Sequence, residues 1–224
     1  MTQAVRSAST PFEFTACLEL REMLGRTAWD ERELLVGIEE VPVDSIYYHT
    51  HSSFLRSRYL VAPYPNDFAT WTAIQVRDRV LGERLAVVDP FEFDDFERLR
   101  GELVAIIDDH LHGLEMVPRI VYGEPFHFMR STILAVPTGL RAHTLEEFAD
   151  ALRRVDLSVI YYHIFEPVRE PGRIIDPALW LEQHLDMPEL AARVRRLNPY
   201  VSSLEGLRAG LLALAEQALG VRDG

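Results

Sequence analysis

Ser45-Ile46-Tyr47-Tyr48-His49 returns in the second half of the chain as Val159-Ile160-Tyr161-Tyr162-His163. Sliding residues 125–163 over 11–49 without a gap gives identities at Pro11, Phe12, Phe14, Leu20, Gly25, Ala28, Glu33, Val41, Ile46, Tyr47, Tyr48 and His49, twelve of thirty-nine positions. About two or three would be expected by chance at ordinary residue frequencies. The pattern predicts a tandem duplication of one lobe with pseudo-two-fold symmetry.

Outward from this stretch the same signals recur in both copies. Asp30 and Thr144 are good helix N-caps, each followed three residues later by Glu33 or Glu147, the capping-box spacing. Gly25 and Gly139 precede these starts, where a positive φ is cheap for glycine. Leu34, Leu35, Ile38 and Val41, and in the second copy Phe148, Leu152 and Val155, supply an apolar stripe at helical spacing. Asp44 or Ser158 is placed to cap the helix that carries Tyr-Tyr-His.

Beyond His49 the copies re-align at an offset of 109. Asp67 to Trp71 then meets Asp176 to Trp180, with Asp67 read as an N-cap. A last helix closes each lobe at about 94–112 and 202–219, with stripes Leu99, Leu103, Ile106, Ile107 and Leu207, Leu211, Leu212, Leu214 that predict a face in need of a partner surface. The segment 126–136 is rich in aromatic and β-branched residues and reads as a strand ending at Pro137. Its counterpart 12–20 fits strand and helix alike and stays open.

The expected fold is mainly α with a few short strands, α+β being the alternative. The expected organisation is a disordered tail over 1–10, a helical lobe over 11–113, a linker over 114–124 and a second lobe over 125–221.

A formal net charge of −12 opposes nucleic acid and anionic membrane as partners, because affinity for phosphates comes from neutralising them. All 23 basic residues are Arg, which excludes Schiff-base chemistry and a Lys-dependent phosphate loop. Cys17 is alone and lies among apolar neighbours, so a buried thiol is expected in a cytoplasmic protein. No apolar run approaches the roughly 20 residues of a membrane span.

His49-Thr50-His51 and His110-Leu111-His112 invite a metal reading, but residues two apart on a helix point about 200° apart. Asp108 and His112 have i, i+4 spacing yet read as a solvated helix end. No metal and no cofactor is expected. The candidate ligand-binding residues are Tyr48, His49, His51, Asn66, Asp67 and Trp71, and in the second copy Tyr162, His163, Asp176 and Trp180. A His beside a Tyr offers a base, a donor and an aromatic face. The competing reading is structural, with His49 or His163 tied to Asp67 or Asp176 to satisfy buried polar atoms.

Gly25 and Ala28, then Tyr47-Tyr48-His49, then Asn66-Asp67-Phe68 with Trp71, then Leu81-Gly82 form a set, matched in part by Gly139, Ala142, Tyr161-Tyr162-His163, Asp176, Trp180 and Leu190-Ala191. The set resembles an uncharacterised bacterial domain family of unknown function and covers nearly the whole chain from Pro11. Ile175 and Pro177 stand where the family's Asn and Phe would be, so a site using the Asn is expected in the first copy alone. The resemblance implies no activity. It is similar to companions of trehalose or glycosyl-transferring enzymes, which would imply a link to carbohydrate metabolism. The expected function is a non-enzymatic binding or regulatory module with a protein or small-molecule partner, or a second copy of the chain. The alternative is an enzyme or small-molecule-binding protein with its site near His49, Asp67 and Trp71.

Overall fold

The computed structural model describes residues 7–59, 63–93, 95–117, 119–120, 122–169 and 172–220. Strand β1 (Phe12–Ala28) leads into helices α1 (Glu31–Glu40), α2 (Val43–Thr50), α3 (Ser52–Arg56), α4 (Asp67–Trp71), α5 (Arg79–Ala86) and α6 (Phe96–His112). Strand β2 (Phe126–Ala142) is followed by α7 (Leu145–Leu152), α8 (Leu157–Arg169), α9 (Pro177–Gln183), α10 (Pro188–Val194) and α11 (Leu204–Leu219). The protein is mainly α, with one two-stranded antiparallel sheet of β1 and β2. Among the described residues, no helix is long and apolar enough to cross a membrane.

The open segment 12–20 is strand, and the second strand runs through Pro137 to Ala142. A two-stranded ribbon leaves outer edges free, so a proline without an N–H need not end it. Gly25 and Gly139 lie inside the strands, at φ 69 and 76, rather than in the turns before the helices. A Cβ at either would meet nothing within 4 Å, so it is the left-handed backbone that selects glycine there.

The chain forms two compact units, and they cut across its halves. One gathers Glu19–Ser57 and Val61–Thr132; the other gathers Met1–Leu18, Arg58–Leu60 and Ile133–Gly224. In the first unit, Phe126 and Phe128 at the start of β2 sit in a core with Leu34, Ile38, Ile46, Phe68, Leu81, Leu99, Leu103 and Ile107. Phe126 stacks on Phe68 with centroids 5.2 Å apart. In the second unit, Phe12 and Phe14 at the start of β1 meet Phe148, and Phe12 also meets Trp180 edge-on at 5.6 Å. Each unit is therefore built on a strand from the other half of the sequence.

Five residues of the α6 and α11 stripes are buried inside their own units, while Ile106, Leu212 and Leu214 are half-buried. Leu99, Leu103 and Ile107 are buried on α6, which packs against α1, and Leu207 and Leu211 are buried on α11, which packs against α7 and α8. Ends of the expected tail and linker are also anchored. Residues 1–6 lie outside the described residues, but Ala8 donates its N–H to His143 O at 2.7 Å in the second unit. In the segment 114–124, of which 118 and 121 lie outside the described residues, Ile120 N–H donates to Trp29 O at 3.0 Å.

Asp30 and Thr144 cap α1 and α7 as expected, accepting from Glu33 and Glu147 N–H. Three other caps differ. Asn66, not Asp67, caps α4. The N-cap of α2 is Pro42 rather than Asp44. At α8 it is the Asp156 carboxylate that accepts from Ser158 N–H, at 2.8 Å, because Asx side chains reach back to backbone two residues on.

Candidate functional site

The first unit holds an open cavity of about 350 Å³ lined by Tyr48, Arg56, Asp67, Trp71, Ile74 and His127 among others. Its walls come from α2, α3, α4 and the first residues of β2. Arg56 lies eight residues, about two helical turns, after Tyr48, and its guanidinium carbon sits 4.5 Å from the Tyr48 ring centre. The same guanidinium bonds Asp67 Oδ2. Its Nη1, also buried, has no hydrogen-bond partner among the described residues.

His49 stands behind this pair, with both ring nitrogens committed. Met129 N–H donates to Nε2 at 3.1 Å, so the ring proton is on Nδ1, which donates to Asp67 Oδ2 at 2.9 Å. Burial pushes the His49 imidazole below its ordinary value, the Asp67 contact opposing it. For Asp67, burial alone would raise the carboxyl, but the His49 bond and Arg56 outweigh it and hold it low. Arg56 loses water as well, yet Asp67 and Tyr48 keep it firmly cationic. Burial raises the Tyr48 phenol. The site is thus an anchored ion pair under an aromatic ring, with a neutral histidine locked behind it.

The second unit has a smaller cavity of about 240 Å³ lined by Thr10, Phe12, Glu13, Tyr162, His163 and Arg173 among others. Here Thr15 N–H donates to His163 Nε2 at 3.0 Å, and Nδ1 donates to Ile175 O at 2.9 Å. The expected tie to Asp176 is replaced by this carbonyl, because Asp176 accepts from Leu179 N–H as the cap of α9. Burial pushes the His163 imidazole down to about 4.

Tyr48, His49, Asp67 and Trp71 therefore share one cavity, and Tyr162 and His163 share the other. The remaining candidates sit elsewhere. Asn66 is buried, accepting from Ala69 N–H and donating to Leu85 O at 2.9 Å. His51 is wholly buried, stacked on Tyr47 at 5.0 Å and edge-on to Phe91 and Phe96. Trp180 stacks on Phe148 and donates to Thr10 O. Arg56 was not read from the sequence, although its spacing from Tyr48 carried the signal; Gln75, Glu124, His127 and Met129 come from distant positions that no local pattern joins.

Fold and site together define a mainly helical protein of two units, each completed by a strand from the other half of the chain. The chain belongs to a family of unknown function, DUF5752, which matches residues 9–216. No curated protein matches it. Among solved structures it is similar to one described as the structure of OrfY from Thermoproteus tenax, with a TM-score of 0.75 and 24% identity over 95% of this chain and 97% of that one. That likeness extends the shared fold over nearly the full length of both.

Proposed function

We propose that the protein is a binding or regulatory module rather than an enzyme, and that the first-unit cavity takes a small hydroxyl-rich ligand such as a sugar. The observation that carries this is Arg56, which lines the open cavity and whose buried Nη1 has no acceptor among the described residues. Leaving such a donor unmade costs free energy that a ligand oxygen would recover. Asp67 beside it can accept from a second hydroxyl, while Trp71 and the exposed Ile74 offer apolar surface, the mixture of a few polar groups and apolar walls usual in small-molecule sites. His49 argues for binding over acid–base chemistry, since both its nitrogens are already bonded. The net charge of −12 supports a partner other than nucleic acid or anionic membrane, and the lone buried Cys17 supports a cytoplasmic setting.

A thermal-shift screen over disaccharides, sugar phosphates and nucleotides tests the reading, because a ligand of the native state raises the melting temperature. The expected result is a shift with one sugar class that Arg56→Met abolishes. No shift with any class, or a shift unchanged in Arg56→Met, would count against this cavity.

A further inference from the structure

A second polar cluster lies in the first unit, and none of its residues is among those lining the cavity. Glu31 is in the first turn of α1 and is fully buried, at 0% exposure, with neither carboxylate oxygen hydrogen-bonded among the described residues. Asp78 caps α5, its Oδ1 accepting from Leu81 N–H at 2.9 Å. Its Oδ2 lies 2.8 Å from Nε2 of His110, in the last turn of α6. The chain reaches Asp78 from a π-helical turn, Thr72–Val76, through Arg77 at φ 67, and Asp78 N–H donates back to Thr72 O at 3.1 Å. One ligand atom each from Glu31, Asp78 and His110 lies within 4.8 Å of the others.

We propose that Glu31, Asp78 and His110 bind one divalent transition-metal cation of the Zn²⁺ class. Imidazole nitrogen with carboxylate oxygen suits such ions, whereas calcium and magnesium call for more oxygens. A cation ~2.1 Å from each ligand would hold them about 3.4 Å apart, so the Asp78–His110 pair, now at 2.8 Å, would open slightly while Glu31 closes in from within 4.8 Å. Asp78 and His110 are each partly exposed, with side chains 15% and 10% accessible, which gives an ion a way in.

Two observations bear on this independently of the spacing. The first is the Glu31 carboxylate itself, buried and unpartnered, a condition that is costly for a polar group unless something compensates it. The second is the other half of the chain. The first residue of α7, the N-cap of α10 and the last turn of α11 carry Leu145, Met187 and Ala218. Apolar side chains serve at these positions, so the helices do not need a polar cluster to pack.

The test uses the full chain, stripped of metal with a chelator and dialysed against Zn²⁺, with bound zinc counted by elemental analysis and melting followed in parallel. One equivalent is expected on the wild type, with a raised melting temperature. Glu31→Gln, which keeps the shape, and Glu31→Leu, which copies Leu145, should both fold and bind at least about tenfold more weakly. Absence of zinc from the wild type, or equal zinc on the folded wild type and either folded variant, overturns the assignment.

Discussion

His49 Nε2 accepts the backbone N–H of Met129, eighty residues further along the chain, at 3.1 Å. His163 does the same for Thr15 at 3.0 Å. The histidine of each Tyr-Tyr-His element thus fastens the strand that begins in the opposite half of the sequence.

His49→Ala removes a ring packed among Phe68, Phe126 and Phe128 and orphans the Met129 N–H. Cavity and lost bonds together are expected to cost about 2–5 kcal/mol. Denaturant unfolding measures it. A loss below about 1 kcal/mol would mean the strand is held by its phenylalanines alone.

His51 supplies a pH dependence. Burial pushes its imidazole from 6.5 to about 3, so the unfolded chain takes up the proton first. Stability from this group is complete above pH 6.5 and falls as pH drops toward 3. His51→Phe copies Phe165, which stacks on Tyr161 as His51 stacks on Tyr47. Between pH 6.5 and 4 the wild type should lose about 3 kcal/mol more than this variant. Parallel pH profiles would refute the assignment.

Much of this was legible in the sequence. The helix starts at Asp30 and Thr144 announced themselves because capping chemistry is local, and the period of Leu34, Ile38 and Leu99, Leu103 named buried faces correctly. The His49–Asp67 bond was foreseen because a repeated buried His needs a partner. What local pattern could not carry was partnership at long range. Nothing in Phe12-Glu13-Phe14 says that its aromatic pocket is Phe148 and Trp180, and nothing joins Glu31, Asp78 and His110. The pairing of His163 with a carbonyl instead of Asp176 depends on a cap three residues long.

Gly37 is expected to be intolerant of enlargement. A Cβ there would lie 2.2 Å from the Phe128 ring, and the ring is wedged in the first-unit core. Gly37→Ala should destabilise by about 1–3 kcal/mol, despite alanine's better helix propensity. A stabilised variant in thermal unfolding would show that Phe128 has room to move.

Cutting the chain between Met116 and Val117 separates each unit from the strand that completes it. Residues 1–116 lack Phe126, Phe128 and Met129, and residues 117–224 lack Phe12, Phe14 and Thr15. Each piece alone should be insoluble or form swapped oligomers, while co-expression should restore a soluble complex. Either fragment behaving as a stable, cooperatively folded monomer in analytical ultracentrifugation would show that its missing strand is dispensable.

The crossing of strands also sets a schedule for biosynthesis. Phe12, Phe14 and Cys17 leave the ribosome early, yet Phe148 and Trp180, against which Phe12 packs, are made more than a hundred residues later. At translation rates of about 5–20 residues per second, that is a wait on the order of ten seconds. Through that interval the segment around Phe12 lacks its aromatic partners, while the unit ending at Thr132 can already close around residues 126–132. Synthesis pace and chaperone access over this window therefore bear on how much of the protein reaches its native form.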